Sequence, residues 1–258
     1  MMIAALPAWL ANWLTPRRVR AHAMILAVCL WSGAIVDFST FGLIDRAGNI
    51  KFQDFLVFYV AGKLVGQHRA GELFDPRVQI HETEVVLGHP TPVRLPDVYG
   101  PQVGLFFSPF SRMPFLVAAC LWVAISVLAY ALCCRGIWLA CPGLHAIRGV
   151  FLPLLLAFPP LFHFVMRGQL SGLVLLCFVA AFFAFRSGNG WLAGLALGTL
   201  VFKPQFFLGV VVILLGSWAW KILAGIIAGS VAQLGLAWAY FGTAVMREYA
   251  RTLMHLPR

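Results

Sequence analysis

Residues 22–41 and 113–134 each form an apolar run close to the roughly 20 residues that a helix needs to cross a bilayer core. Five further runs follow at 149–166, 170–186, 190–203, 205–220 and 222–242, with charges and prolines as punctuation between them. Lys203-Pro204 divides the fifth from the sixth, and these two read equally as one long broken helix. Such a pattern predicts an all-α integral membrane protein of about seven spans. Composition agrees: 61% of residues are hydrophobic and 11% charged, and the mean hydropathy is +0.88, outside the range of soluble domains.

The charges are unevenly placed. Eight of nine acidic residues (Asp37, Asp45, Asp54, Glu72, Asp75, Glu82, Glu84 and Asp97) lie between 37 and 113, and Glu248 stands apart. The organisation expected is therefore an N-terminal cytoplasmic and interfacial segment over 1–21, a multi-span membrane domain over 22–242 with a large polar first loop at 42–112, and a short tail over 243–258. The net charge of +10 does not imply nucleic acid, because the basic residues sit singly or in short clusters at the ends of apolar runs. The six cysteines lie inside apolar runs or cluster near residue 134 without histidines at zinc spacing, and read as buried small hydrophobes.

Trp9 and Trp13 followed by Arg17, Arg18 and Arg20 resemble an interfacial segment with a cytoplasmic charge anchor, so the N-terminus is expected inside and the first span is read as a retained signal anchor. The loop at 42–112 then lies outside. The basic loop from Arg135 to Arg148 returns inside, and Arg167-Gly168-Gln169 and Lys203-Pro204-Gln205 emerge outside. Three polar sites thus share the outer face.

Within the outer loop, residues 52–71 read as an amphipathic interfacial helix with Phe52, Phe55, Leu56, Tyr59 and Leu64 on one side and Asp54, Ala61 and His68 on the other. Asp54 and His68 share a stripe but stand about 20 Å apart by helical rise. A carboxylate at the first turn can take a proton from a hydroxyl at the membrane surface; equally, an Asp there is favoured by the helix dipole alone. The segment His89–Pro114 reads as an ordered proline-rich loop. His81, Glu82 and Glu84 read as solvated loop charges, since the string HETE lacks a second metal-spaced histidine. Arg167 and Lys203 can either pair with a phosphate at headgroup level or snorkel to lipid. A transporter would carry ionisable residues at mid-span, and His163 is the one clearly inside a run, near its outer end.

Taken in order, DFLVFYVAGKLVGQHRAGELFDP, VYGPQVGLFFSPFSRMPF, RGQLSGLVLL and WLAGLALGTLVFKPQF, across about residues 50–210, resemble glycosyltransferase family 87, membrane enzymes of the GT-C class. Phe74 stands where the family usually has Tyr, and Ser171 where an Asn often follows Gly-Gln.

The resemblance implies a GT-C-like bundle and inverting transfer of a sugar, often mannose, from a polyprenyl-phosphate sugar to a lipid or glycan acceptor on the extracytoplasmic side of a bacterial plasma membrane. It makes Asp54 the catalytic base. Arg167, Gln169, Lys203, Gln205, Tyr59, Tyr99 and His68 become candidate substrate-binding residues. No cofactor is required, no metal-binding residue is assigned, and a divalent metal is left open. The family is usually longer, so the resemblance also implies a C-terminally short member, one completed by a partner chain, or a non-catalytic lipid-binding or assembly subunit.

Overall fold

The computed structural model describes residues 14–91 and 99–254. Trp9, Trp13 and Asp97 lie outside them. Among the described residues the chain is helical, with no strand beyond an isolated antiparallel bridge between Ile44 and Ile50.

Helix α1 (Pro16–Phe38) starts where Thr15 caps the first turn and Pro16 supplies a pre-set φ. It therefore takes Arg17, Arg18 and Arg20 into its first turns. Only Ala23 and Ala34 are buried along it, so its apolar surface suits lipid. A folded turn over residues 39–52 leads on to α2 (Gln53–Gly66). Lys51 organises that turn, its buried ammonium donating to the carbonyls of Thr40 and Gly42 at 2.6 and 3.1 Å.

Helix α2 corrects the amphipathic reading. Phe55, Leu56, Phe58, Tyr59, Val60, Ala61, Gly62, Leu64 and Val65 are all buried, so the helix is enclosed on nearly every side instead of lying with one face in water. The physical reason is close packing against α4 (Pro101–Phe107). A Cβ on Gly62 would lie 2.6 Å from the Phe107 carbonyl oxygen, and one on Gly104 would lie 3.2 Å from that of Ala61. The expected polar stripe is at Ala61 a small-residue contact.

Two helices stand where loop was expected. One is α3 (Pro76–Leu87), capped by the Asp75 carboxylate on the Arg77 amide and closed by left-handed Gly88. The other is α4 itself, which starts at Pro101 because proline at the first helical position sacrifices no bond. Glu82 is not solvated. It is 5% exposed and bridges Lys63 at 2.9 Å and Arg69 at 2.5 Å, joining α2 to α3.

The remaining helices are α5 (Phe115–Ala140), α6 (Arg148–Leu156), α7 (Pro159–Arg167), α8 (Ser171–Arg186), α9 (Gly190–Gly198), α10 (Pro204–Gly216) and α11 (Trp220–Met254), the last broken at Gly242. Four helical stretches among the described residues are long and apolar enough to cross a membrane: 16–38, 115–140, 142–167 and 220–254. The expected runs at 170–186, 190–203 and 205–220 form shorter apolar helices, α9 continuing through a 3₁₀ turn at Thr199–Phe202.

Pro159-Pro160 separates α6 from α7 and leaves two carbonyls without their helical donors. The Leu156 oxygen is met by the Trp31 indole at 2.9 Å and the Leu155 oxygen by the Tyr130 hydroxyl at 3.3 Å, which ties α1 and α5 to this break. Helices α9 and α11 meet along Gly194, Gly198, Gly225 and Gly229. A Cβ on Gly198 would lie 2.5 Å from the Ile226 oxygen, and one on Gly229 2.8 Å from that of Leu195, an approach that suits helices in lipid. Beyond Gly242 the expected tail is a packed helical leg, with Val245 and Tyr249 buried and Tyr249 stacked on Phe74 at 5.6 Å. All six cysteines are free; Cys133 is buried whereas Cys29 and Cys120 are exposed on apolar helix faces.

Candidate functional site

The site forms where the N-terminus of α2 meets the turn between α7 and α8. Gly168 makes that meeting possible. Its φ of +68° is left-handed, and a Cβ there would lie 2.6 Å from the Phe55 Cβ. Trp122 fixes the turn from the other side, its buried indole donating to the Gly168 carbonyl at 3.0 Å. An aromatic cluster holds Trp122 in turn, with Phe107 at 4.8 Å and Phe55 packed on Phe107 at 5.7 Å. Rigid packing therefore presents both neighbours of Gly168 to the first turn of α2.

Those neighbours are Arg167 and Gln169. The Gln169 amide donates to Asp54 Oδ2 at 2.5 Å, and the Ser171 hydroxyl donates to Gln169 Oε1 at 3.2 Å, which orients the amide. Arg167 donates to Gln53 Oε1 at 3.1 Å and stands 3.8 Å from Asp54 Oδ1. The Asp54 side chain is 29% exposed and that of Arg167 44%, so this pair is loose and partly screened by solvent. Asp54 is thus held through one oxygen, while the other makes no hydrogen bond among the described residues. Immediately before it, Phe52 has a φ of +53°, a strained conformation for an aromatic residue.

Lys203 approaches from the break between α9 and α10. It is 6% exposed, and its ammonium makes no hydrogen bond or ion pair among the described residues. Its nearest recorded partner is the Phe206 ring, 5.1 Å to the centroid. Burial lowers its pKa, and the Asp54 charge opposes that by favouring the ammonium. The two groups therefore feel each other without touching. The stem of Lys203 is buried while its ammonium nitrogen keeps some exposure, so the charge is partly desolvated and free to meet an anion.

The other predicted residues lie elsewhere. The Tyr59 hydroxyl is spent on the Met113 carbonyl at 2.7 Å, and its ring packs on Phe115. Tyr99 meets Phe58 edge to face at 4.9 Å. His68 is exposed just beyond the opposite end of α2, with a φ of +59°. Gln205 is exposed on the first turn of α10 and makes no side-chain hydrogen bond among the described residues. Gln53 and Trp122 belong to the site and carry no motif that marks them; Gly168 was visible only as the residue between Arg167 and Gln169. Among the described residues no three His, Cys, Asp or Glu side chains converge as a metal-ligand set.

Comparison with known families gives a match to glycosyltransferase family 87 over residues 98–258, more than half of the chain. The chain belongs to glycosyltransferase family 87. That membership implies a membrane glycosyltransferase, in agreement with its apolar helices. The matched residues include Arg167, Gln169 and Lys203, whereas Asp54 precedes them and is tied to the family region by the Gln169 contact. No curated protein and no solved structure matches the chain.

Proposed function

We propose that this chain transfers a sugar, mannose being the first candidate, from a polyprenyl-phosphate sugar to a hydroxyl of a lipid or glycan acceptor at the extracytoplasmic face of a bacterial plasma membrane. It is read as a GT-C-like enzyme with a cytoplasmic N-terminus. The observation carrying this reading is the pairing of a partly exposed carboxylate, held by Gln169, with a largely buried lysine whose ammonium makes no hydrogen bond or ion pair among the described residues.

Asp54 accepts the acceptor hydroxyl proton as the new bond to the anomeric carbon forms. The bond from that carbon to the donor phosphate oxygen breaks, and the phosphate leaves with the electron pair. Lys203 and Arg167 balance its charge: Lys203 as a partly desolvated point charge, Arg167 as a planar donor at the solvated edge. Gln169 keeps one Asp54 oxygen engaged so that the other faces the acceptor. Gln53 draws Arg167 away from a full ion pair that would weaken Asp54 as a base.

The test is transfer by the purified chain from polyprenyl-phosphate-mannose to candidate acceptors. Transfer is expected, and Asp54→Asn should abolish it while the helical content and melting profile remain. Donor binding without any turnover in the native chain would instead support a non-catalytic lipid-binding or assembly subunit, completed by a partner chain.

A further inference from the structure

Helix α11 packs on α9 through Gly225 and Gly229, and Ile226, Ser230 and Ala237 are buried on the same side. At about 100° per residue, Val231, Leu234, Gly235 and Trp238 fall on the other side. There they form the wall of a groove of about 480 Å³. Val231 is 63% and Trp238 56% exposed, so this wall is open to the surroundings. None of the residues grouped around Asp54 lines it.

The groove is closed at one end by the leg beyond Gly242. That glycine has a φ of +77°, which side chains rarely adopt, and it bends the chain so that Thr243, Met246 and Arg247 border the groove. The Trp238 indole donates to the Thr243 hydroxyl at 3.0 Å across the bend, which fixes the elbow. Arg247 makes no hydrogen bond or ion pair among the described residues, and the adjacent Glu248 is taken by Arg251 at 2.5 Å. A free guanidinium therefore stands at the head of an otherwise uncharged groove.

Length sets the depth of each part. Trp220 to Phe241 spans about 33 Å by helical rise, close to the thickness of a bilayer hydrocarbon core, so the elbow and Arg247 lie at headgroup level. Val231 lies about 16 Å deeper, among acyl chains. We propose that this elbow seats one anionic phospholipid, its phosphate on Arg247 and one acyl chain along Val231, Leu234 and Trp238. The planar guanidinium matches a phosphate in charge and geometry. A zwitterionic headgroup brings its own cation to the phosphate, and a free phosphate makes no use of the apolar wall.

The site shares no residue with the Asp54 group and its test needs no turnover. The full chain in phosphatidylcholine nanodiscs is photolabelled with phosphatidylglycerol carrying a diazirine midway along one acyl chain, and separately with the diacylglycerol of the same chains; adducts are mapped by mass spectrometry. Labelling at Val231, Leu234 and Trp238 by phosphatidylglycerol should exceed that by diacylglycerol about tenfold. Arg247→Gln should bring it down to the diacylglycerol level, whereas Lys221→Gln, at the far end of the same helix, should leave it unchanged. In the native chain, unlabelled phosphatidylglycerol should compete and glycerol phosphate at the same concentration should not, a comparison that stands even if a variant folds poorly. Equal labelling by the two lipids, an equal loss with Lys221→Gln, or competition by glycerol phosphate overturns the proposal.

Discussion

Gly168 meets two demands at once, a left-handed backbone and a 2.6 Å limit against Phe55, and its neighbours are the residues that reach Asp54. Gly168→Ala should therefore cost about 2 kcal/mol, from the positive φ and the overpacking together, read as a lowered melting temperature in detergent. Transfer should fall with it, because Arg167 and Gln169 shift when the turn moves. Lys203 makes the opposite prediction. Removing a partly desolvated charge that no hydrogen bond or ion pair satisfies relieves part of a desolvation cost, so Lys203→Met should leave the unliganded protein as stable or more stable. The same change should weaken binding of polyprenyl phosphate about ten- to a hundredfold, the loss expected for a charge-assisted contact. A destabilised Lys203→Met protein with unchanged lipid binding would assign the residue to packing.

At the scale of elements, the link between α2 and α3 is electrostatic at one end. Burial opposes ionisation of Glu82, yet hydrogen bonds from Lys63 and Arg69 prevail and hold its carboxyl below the usual carboxylate range. A folded-state pKa lowered in this way contributes stability above the unfolded value and loses it as pH falls through the folded value. Acidification below the ordinary Glu range should therefore lower the melting temperature of the native chain, and Glu82→Gln should flatten that dependence. Hydrogen exchange over α3 gives the local readout. The burial of Glu82 was not legible in the sequence, because HETE has the same local polarity whether it faces solvent or two cations supplied by α2 and the turn after it. The character of α2 was misleading for a related reason: Ala61 falls on the stripe of Asp54 and His68, but it is small enough to seat against Gly104, and packing decided the face.

At the scale of the molecule, lipid-length apolar runs indicated the membrane class, and four helical stretches among the described residues have spanning length where seven spans were expected. The runs did not give the α9–α11 glycine seam, which depends on four glycines from two distant segments meeting in space. Of the site, Arg167, Gln169 and Lys203 were legible as polar residues at the ends of apolar runs, and Asp54 as the acid at the first turn of a helix in the outer loop. Gln53 and Trp122 were not, since their roles depend on which loop crosses which helix end. The stack of Tyr249 on Phe74 brings the leg after Gly242 against the loop between α1 and α5. If that loop is extracytoplasmic, an impermeant maleimide applied outside should label cysteines placed at Ala47 and Arg251 and spare one at Arg135. Labelling of position 135 with sparing of 47 and 251 would invert the topology while leaving the contacts intact.

On the proposed function, Asp54 performs the proton transfer while the cations hold the donor. Binding of polyprenyl phosphate and turnover of polyprenyl-phosphate-mannose, measured side by side on the native chain and on Asp54→Asn, separate these roles directly. Asp54→Asn should bind the lipid phosphate at least as well as the native chain, having lost a nearby negative charge, and should transfer no sugar. Sugar transfer by Asp54→Asn at the native rate would contradict that assignment.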